Sequence, residues 1–322
     1  MALTSEKYQQ KRQALIERTS LALNIPTTQA SSLLSIGRQQ SVRINTLKNS
    51  QAAIMERLGQ LDVSLSSVEW MDEGLFIDSG LPLIRDSELV NNGEAYIQNA
   101  ASWLPVLALN PAPGENILDM CAAPGGKTSH IAQKAQNKAF ITANDNSRPR
   151  LHKLQNNLQR LGVENATFTL HDATRLSRTL EPESFDKILL DAPCSGEGMM
   201  QLDNKKDFES WSVAHIKRLQ QLQKKLIVQA WQLLKPGGRL VYSTCTMAPE
   251  ENEAVLDYLL RHNEDVNVED ITWLSEKLNN TSPAVTEWNG KTYDSRVKQA
   301  VRLHPSPEVE AFFVVSLTKE EA

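Results

Sequence analysis

The sequence of 322 residues has only three cysteines, Cys121, Cys194 and Cys245, an odd number with no CxxC and no Cys/His ligand pair. That argues against a disulfide framework or a zinc site, so no metal is expected and the thiols are expected to stay reduced. Long apolar runs are missing too. The longest, such as residues 185–190, fall far short of the ~20 residues needed to cross a bilayer, and the first twenty residues are polar rather than signal-like. A cytoplasmic protein without membrane contact is therefore expected. No repeat or low-complexity tract occurs, and 40% hydrophobic with 23% charged residues is ordinary for a globular chain.

The net charge of -5 hides an uneven distribution. The first fifty residues carry seven Lys or Arg, among them Lys7, Lys11, Arg12 and Arg43, against two Glu. A basic amino-terminal region suits a polyanionic partner, although a solvated helical face has the same composition.

Apolar spacing predicts helices over Lys7–Leu23 and on to Leu34, a strand over Ser41–Leu47, a helix over Ala52–Leu61, and strands over Val68–Ile77 and Leu81–Ile84. This reads as a small α+β module over residues 1–93, ending in the polar stretch before Gly93. Ala95–Leu107 is predicted helical, broken or ended near Pro105. Residues 94–322 then form a second domain in which strands alternate with helices. The strands are Asn116–Met120, Ala139–Asn144, Ala166–Leu170, Phe185–Leu190, Arg239–Ser243 and Phe312–Leu317, and the helices Lys127–Ala135, Pro149–Leu161, Ser212–Leu234 and Pro249–Arg261. That succession is α/β: a doubly wound, mostly parallel sheet, whose strand carboxyl ends converge on one crevice.

Three stretches reach that crevice. In Cys121-Ala122-Ala123-Pro124-Gly125-Gly126-Lys127 the paired glycines permit positive φ and close backbone approach, and the helix that follows offers unpaired N–H groups to an anion. A P-loop reading fails, because that motif needs Gly where Cys121 stands. Asp145 and Asp172 end the next two strands, where a carboxylate accepts hydrogen bonds from a ribose; a helix cap is the competing reading for Asp145. Together these features suggest a nucleoside bearing a carboxylate, as S-adenosylmethionine does. Cys194 and Cys245 each follow a strand among small or hydroxyl residues, with Pro249 predicted to open a helix carrying Glu250 and Glu251 in its first turn.

Asp119-Met-Cys-Ala-Ala-Pro-Gly-Gly-Lys, Leu190-Asp-Ala-Pro-Cys-Ser-Gly, and Ser243-Thr-Cys-Thr followed by Pro249-Glu-Glu-Asn-Glu closely resemble the Nol/Nop/Sun family of RNA 5-methylcytosine methyltransferases. The likeness extends to Arg43-Ile-Asn-Thr-Leu-Lys48, Tyr96-Ile-Gln98 and Arg302-Leu-His-Pro305. It implies a class I Rossmann-like fold that uses S-adenosylmethionine. It further implies that Cys121–Lys127 surround the methionine portion, that Asp145 holds the ribose and that Asp172 lies near the adenine. By the same resemblance Cys245 attacks carbon 6 of cytosine, Asp191 contacts the ring at N3 beside the cofactor, and Cys194 assists product release. Lys7, Lys11, Arg12 and Arg43 would contact the RNA backbone. The chain stops soon after the sheet should close, so substrate choice is expected to rest on the amino-terminal module of a monomer. Two rivals are a DNA cytosine methyltransferase using Cys194, which follows Pro193, and a non-catalytic, cofactor-binding RNA chaperone.

Overall fold

The computed structural model describes residues 3–321. Its first stretch runs α1 (Ser5–Leu23), α2 (Thr27–Ser35), β1 (Gln40–Ile44), α3 (Gln51–Gly59), β2 (Ser64–Ser67), β3 (Gly74–Ser79), α4 (Leu81–Arg85), α5 (Glu88–Asn91) and β4 (Ala95–Ile97). Then follow α6 (Leu104–Leu109), β5 (Asn116–Asp119), α7 (Gly126–Lys134), β6 (Phe140–Asn144), α8 (Arg148–Arg160), β7 (Ala166–Thr169), β8 (Phe185–Asp191) and α9 (Val213–Leu233). The last part holds β9 (Leu234–Thr244), α10 (Glu253–His262), β10 (Val266–Val268), α11 (Thr272–Lys277), β11 (Thr281–Pro283), β12 (Glu287–Trp288), β13 (Lys291–Thr292), β14 (Val301–Leu303) and β15 (Phe312–Lys319).

The chain divides into two compact units, each discontinuous in sequence. One contains Gln39–Asp191, Gln229–Val241 and the residues from Thr318 on. Its parallel strands lie in the order β8-β5-β6-β7, with Leu118 level with Thr142 on one side and with Ile188 on the other. Parallel pairing needs crossovers, and α7 and α8 supply two of them. The same unit holds an antiparallel sheet, β2-β3-β1-β4, whose buried face of Val42, Ile44, Leu75 and Ile77 packs on Ile54 and Leu58 of α3. The other unit contains the residues through Arg38, Ala192–Val228 and Tyr242–Leu317. There α1 and α2 bury Leu15, Ile16 and Leu34 against Phe208, Trp211 and Ile216. Antiparallel β11, β14 and β15 make its sheet, with β10 on β15.

The division expected near Gly93 does not coincide with these units. β4 lies beyond Gly93 and pairs with β1, and Asn45 donates to Gly93 O and Leu161 O at 2.7 and 2.8 Å. Local readings change at three further places. Leu81–Arg85 is a helix rather than a strand, since Gly80 takes φ +82° and Pro82 sits in the first turn. Ala95–Ile97 is a strand, and Pro105 starts α6 instead of ending a helix. Residues 249–252 form turns, so Glu250 and Glu251 precede α10, which begins at Glu253. Among the described residues no helix is long and apolar enough to cross a membrane.

Candidate active site

The glycine turn is tied down at both ends. Met120 N–H donates to Leu189 O and Ala122 N–H to Asn144 O, which fixes the loop to the strands on either side of β5. Gly125 takes φ +105° as the cap of α7, a conformation that a side chain would strain. Thr128 Oγ1 donates to Asp119 Oδ2 at 2.7 Å, joining the end of β5 to the first turn of α7. Burial pushes the Asp119 carboxyl up to about 7, against the opposing effect of the Thr128 bond. A cavity of about 180 Å³ opens here, lined by Cys121, Ala122, Ala123, Pro124, Gly126, Lys127 and Asp191, with Tyr96 of β4 and Gln98 just after it. The Lys127 ammonium lies 2.8 Å from Asp191 Oδ2. Burial and the carboxylates of Asp119, Asp191 and Asp145 hold the Cys121 thiol far above its usual range, so it is an inert wall of the cavity rather than a nucleophile.

Asp145 is buried and does not cap α8, whose N-cap is Ser147. Its Oδ1 accepts from Ser147 N–H at 2.9 Å, a local turn ahead of the helix. Its Oδ2 is buried without a hydrogen bond, and Arg150 at 3.1 Å is its ion-pair partner. Arg150 also donates to Ala123 O at 2.7 Å, which links this acid to the glycine turn. A buried carboxylate oxygen that makes no hydrogen bond, its one ion-pair partner being the exposed Arg150, suits a ribose hydroxyl, and the start of α7 suits a carboxylate, so the lining fits S-adenosylmethionine. Asp172 is exposed and its Oδ1 accepts from Thr174 N–H and Oγ1. A wider cleft of about 470 Å³ near Asn116, Phe140 and Asn165 lies at the strand starts, the edge of a parallel sheet that does not bind ligands.

In the other unit the structure brings Cys194 and Cys245 together, Sγ to Sγ at 3.3 Å. Along residues 240–256 every residue is buried except Cys245, which is half-exposed. Hydrogen bonding to Cys245 and burial raise the Cys194 thiol well above its ordinary value. Thr244 and Thr246, on either side of Cys245, are both held by Asn252: Thr244 Oγ1 donates to Asn252 Oδ1 at 2.5 Å, and Asn252 Nδ2 donates to Thr246 O at 2.9 Å. Glu251 Oε2 accepts from Ser195 N–H and from Gln223 Nε2, each at 2.9 Å. Sequence reasoning named Glu251 and Asn252 only as members of a motif, without these partners, and missed Gln223 on α9 altogether.

The expected RNA contacts separate. Lys7 is exposed and Arg12 half-exposed on α1. Lys11 directs its Nζ to Phe208 O at 2.6 Å and Glu209 O at 3.2 Å, and burial, then Lys7, lowers its pKa. Arg43 is a correction, for it is fully buried. Its guanidinium bonds Gln133 and, at 2.7 Å, Ser129 Oγ, so it reaches no phosphate.

Residues 106–318 match the profile of the family described as 16S rRNA methyltransferase RsmB/F. The chain is 40% identical over 283 residues to tRNA (cytosine(49)-C(5))-methyltransferase of Pyrococcus abyssi, covering 87% of this chain and 88% of that protein. It is 43% identical over 229 residues to ribosomal RNA small subunit methyltransferase F of Aeromonas hydrophila, covering 69% of this chain and 48% of the relative, about half its length. The crystal structure of a methyltransferase homolog protein from Pyrococcus horikoshii superposes with a TM-score of 0.76 at 33% identity, over 95% of this chain and 99% of that one. With two thirds of its length inside that profile, the chain belongs to the 16S rRNA methyltransferase RsmB/F family.

Proposed function

We propose that this protein methylates carbon 5 of a cytosine in structured RNA, transfer or ribosomal, through a transient bond between Cys245 and the base. Family membership makes it an S-adenosylmethionine-dependent RNA cytosine methyltransferase. The observation that carries the nucleophile is the half-exposure of Cys245 within seventeen otherwise buried residues. A base can reach that sulfur, while its neighbours hold it in one place.

The cofactor supplies an electrophilic methyl group when bound. Cytosine carbon 5 is a poor nucleophile until the Cys245 thiolate adds to carbon 6, which turns carbon 5 into an enamine carbon able to take the methyl. Asp191 contacts N3 and steadies the adduct, with Lys127 orienting its carboxylate. Loss of the carbon 5 proton to a base then drives out the thiolate and restores the ring. Cys194, holding its proton, donates it toward the departing Cys245 sulfur. The target nucleotide leaves its stack, at a cost of a few kcal/mol that is least in loops. Lys7 and Arg12 on α1 contact the RNA backbone, and the work is done in the cytoplasm.

Total RNA from a strain lacking the gene, incubated with the protein and S-adenosylmethionine labelled in its methyl group, tests the activity. Label in 5-methylcytosine, located by bisulfite sequencing, is the expected result. Label confined to other nucleosides, or to DNA cytosine, overturns it.

A further inference from the structure

Cys194 stands on a loop with no regular structure, between β8 and the buried turn at Glu197. Its sulfur nevertheless has a defined place. Both peptide groups beside it are gripped from below: Ser195 N–H donates to Glu251 Oε2, and Pro193 O accepts from Gln223 Nε2, each at 2.9 Å. The same Gln223 Nε2 donates to the same Glu251 oxygen, so one carboxylate oxygen anchors both flanks. Glu251 and Gln223 are fully buried, and Glu251 Oε1 has no partner among the described residues. Tyr242 hydroxyl donates to Glu251 O and fixes the backbone that carries it. A buried carboxyl costs stability, and burial pushes this one up to about 7. That cost is offset because its Oε2 satisfies the Ser195 N–H and Gln223 Nε2 donors, which an apolar side chain would leave unpaired.

We propose that Glu251 is a positioning residue for product release: by holding Ser195 and, through Gln223, Pro193, it keeps the Cys194 thiol aimed at the Cys245 sulfur. This rests on the roles of the two cysteines given above. Asn252 braces Cys245 in the same manner, so two consecutive residues each set one sulfur. Loosening the Cys194 side alone leaves attack on carbon 6 and methyl transfer intact and slows the breaking of the carbon–sulfur bond. The bond that breaks joins Cys245 Sγ to carbon 6; its electron pair stays on sulfur, where the Cys194 proton steadies it.

The full chain is assayed with unmodified total RNA from a strain lacking the gene and S-adenosylmethionine, as the wild type and as Glu251→Ala, Glu251→Gln, Cys194→Ala and Cys245→Ala. With enzyme in excess, Glu251→Ala is expected to transfer methyl within about threefold of the wild-type rate, while multiple turnover falls about tenfold and adduct surviving denaturing gels rises about fivefold or more. Glu251→Gln, which keeps one oxygen for Ser195 N–H, restores most of the lost turnover. Should Glu251→Ala fail to fold, Gln223→Leu frees Pro193 O, removes one donor from Glu251 and leaves the Ser195 bond in place, and is expected to raise the adduct about threefold. Turnover and adduct equal to wild type in Glu251→Ala overturn the proposal. A parallel fall in single-turnover transfer and adduct overturns it as well, because a general structural defect would do that. Adduct formation by Cys245→Ala would instead overturn the underlying assignment of the nucleophile.

Discussion

The sulfurs of Cys194 and Cys245 face each other at 3.3 Å, closer than a van der Waals contact and far longer than a disulfide. Such a pair shares one hydrogen bond, and in the mechanism proposed above Cys194 is its donor. The asymmetry assigns different roles to two chemically identical side chains. Cys245→Ala is expected to abolish both the denaturant-stable RNA adduct and methyl transfer, by about a thousandfold or more. Cys194→Ala is expected to accumulate the adduct, because attack survives and elimination slows. Denaturing gels of labelled RNA with each variant decide it; adduct loss in Cys194→Ala and retention in Cys245→Ala would reverse the roles.

Gly126 borders the cavity assigned above, as a proposal, to the cofactor. A Cβ built there would lie 3.0 Å from Gln98 Nε2 and 3.0 Å from Tyr96 Cε1, two side chains that line the cavity. Both can move, so Gly126→Ala is expected to fold, with Tyr96 and Gln98 displaced into the space the cofactor needs. Affinity for S-adenosylmethionine is expected to fall about tenfold, read by calorimetry, with little change in the melting temperature. Unchanged affinity would mean that the methionine portion binds away from this turn.

Much of this site is legible in the sequence because its signals are local. The run ending at Asp119, broken by Gly125-Gly126, specifies strand, turn and helix within nineteen residues, and the structure has β5 and α7 there. Short apolar runs carry no such information. Leu81–Arg85 and Ala95–Ile97 took the opposite state from the one expected, the first decided by Gly80 and Pro82, the second by pairing with β1. Strands of two or three residues, such as β12 and β14, show no pattern at all. The partners of Glu251 are Ser195 and Gln223, 56 and 28 residues away, and no spacing rule relates them.

Asp119 makes stability depend on pH in a direction opposite to most carboxylates. Its carboxyl is 1% exposed and titrates at about 7, against an ordinary 3.8. Between these values the folded chain holds a proton that the unfolded chain has released, so stability falls as pH rises and is level above about 7. Asp119→Asn keeps an acceptor for Thr128 Oγ1 and removes the titration. Going from about pH 5 to about pH 8, the variant is expected to gain roughly 2–3 kcal/mol relative to wild type, measured by urea unfolding at both values. A difference that does not vary with pH would show that Asp119 is already ionised at the lower one.

Basic residues near the amino terminus look alike in sequence and differ in what they can do. Arg43, buried on β1, donates to Gln133 and Ser129 of α7, and burial lowers its pKa to about 10. Arg43→Ala leaves those acceptors without a donor and is expected to cost about 3 kcal/mol or more of stability, seen in urea unfolding. The dependence of RNA binding on salt should stay as in wild type. Lys7 on α1 is exposed and Arg12 half-buried, and their replacement by Ala is expected to leave unfolding unchanged within about 0.5 kcal/mol. Each should instead lower the slope of log affinity against log salt by about 0.7–0.9, read from anisotropy titrations over several potassium chloride concentrations. An unchanged slope in the Lys7 and Arg12 variants would remove α1 from the RNA contact surface, and a reduced slope in a folded Arg43 variant would mean that β1 opens toward RNA on binding.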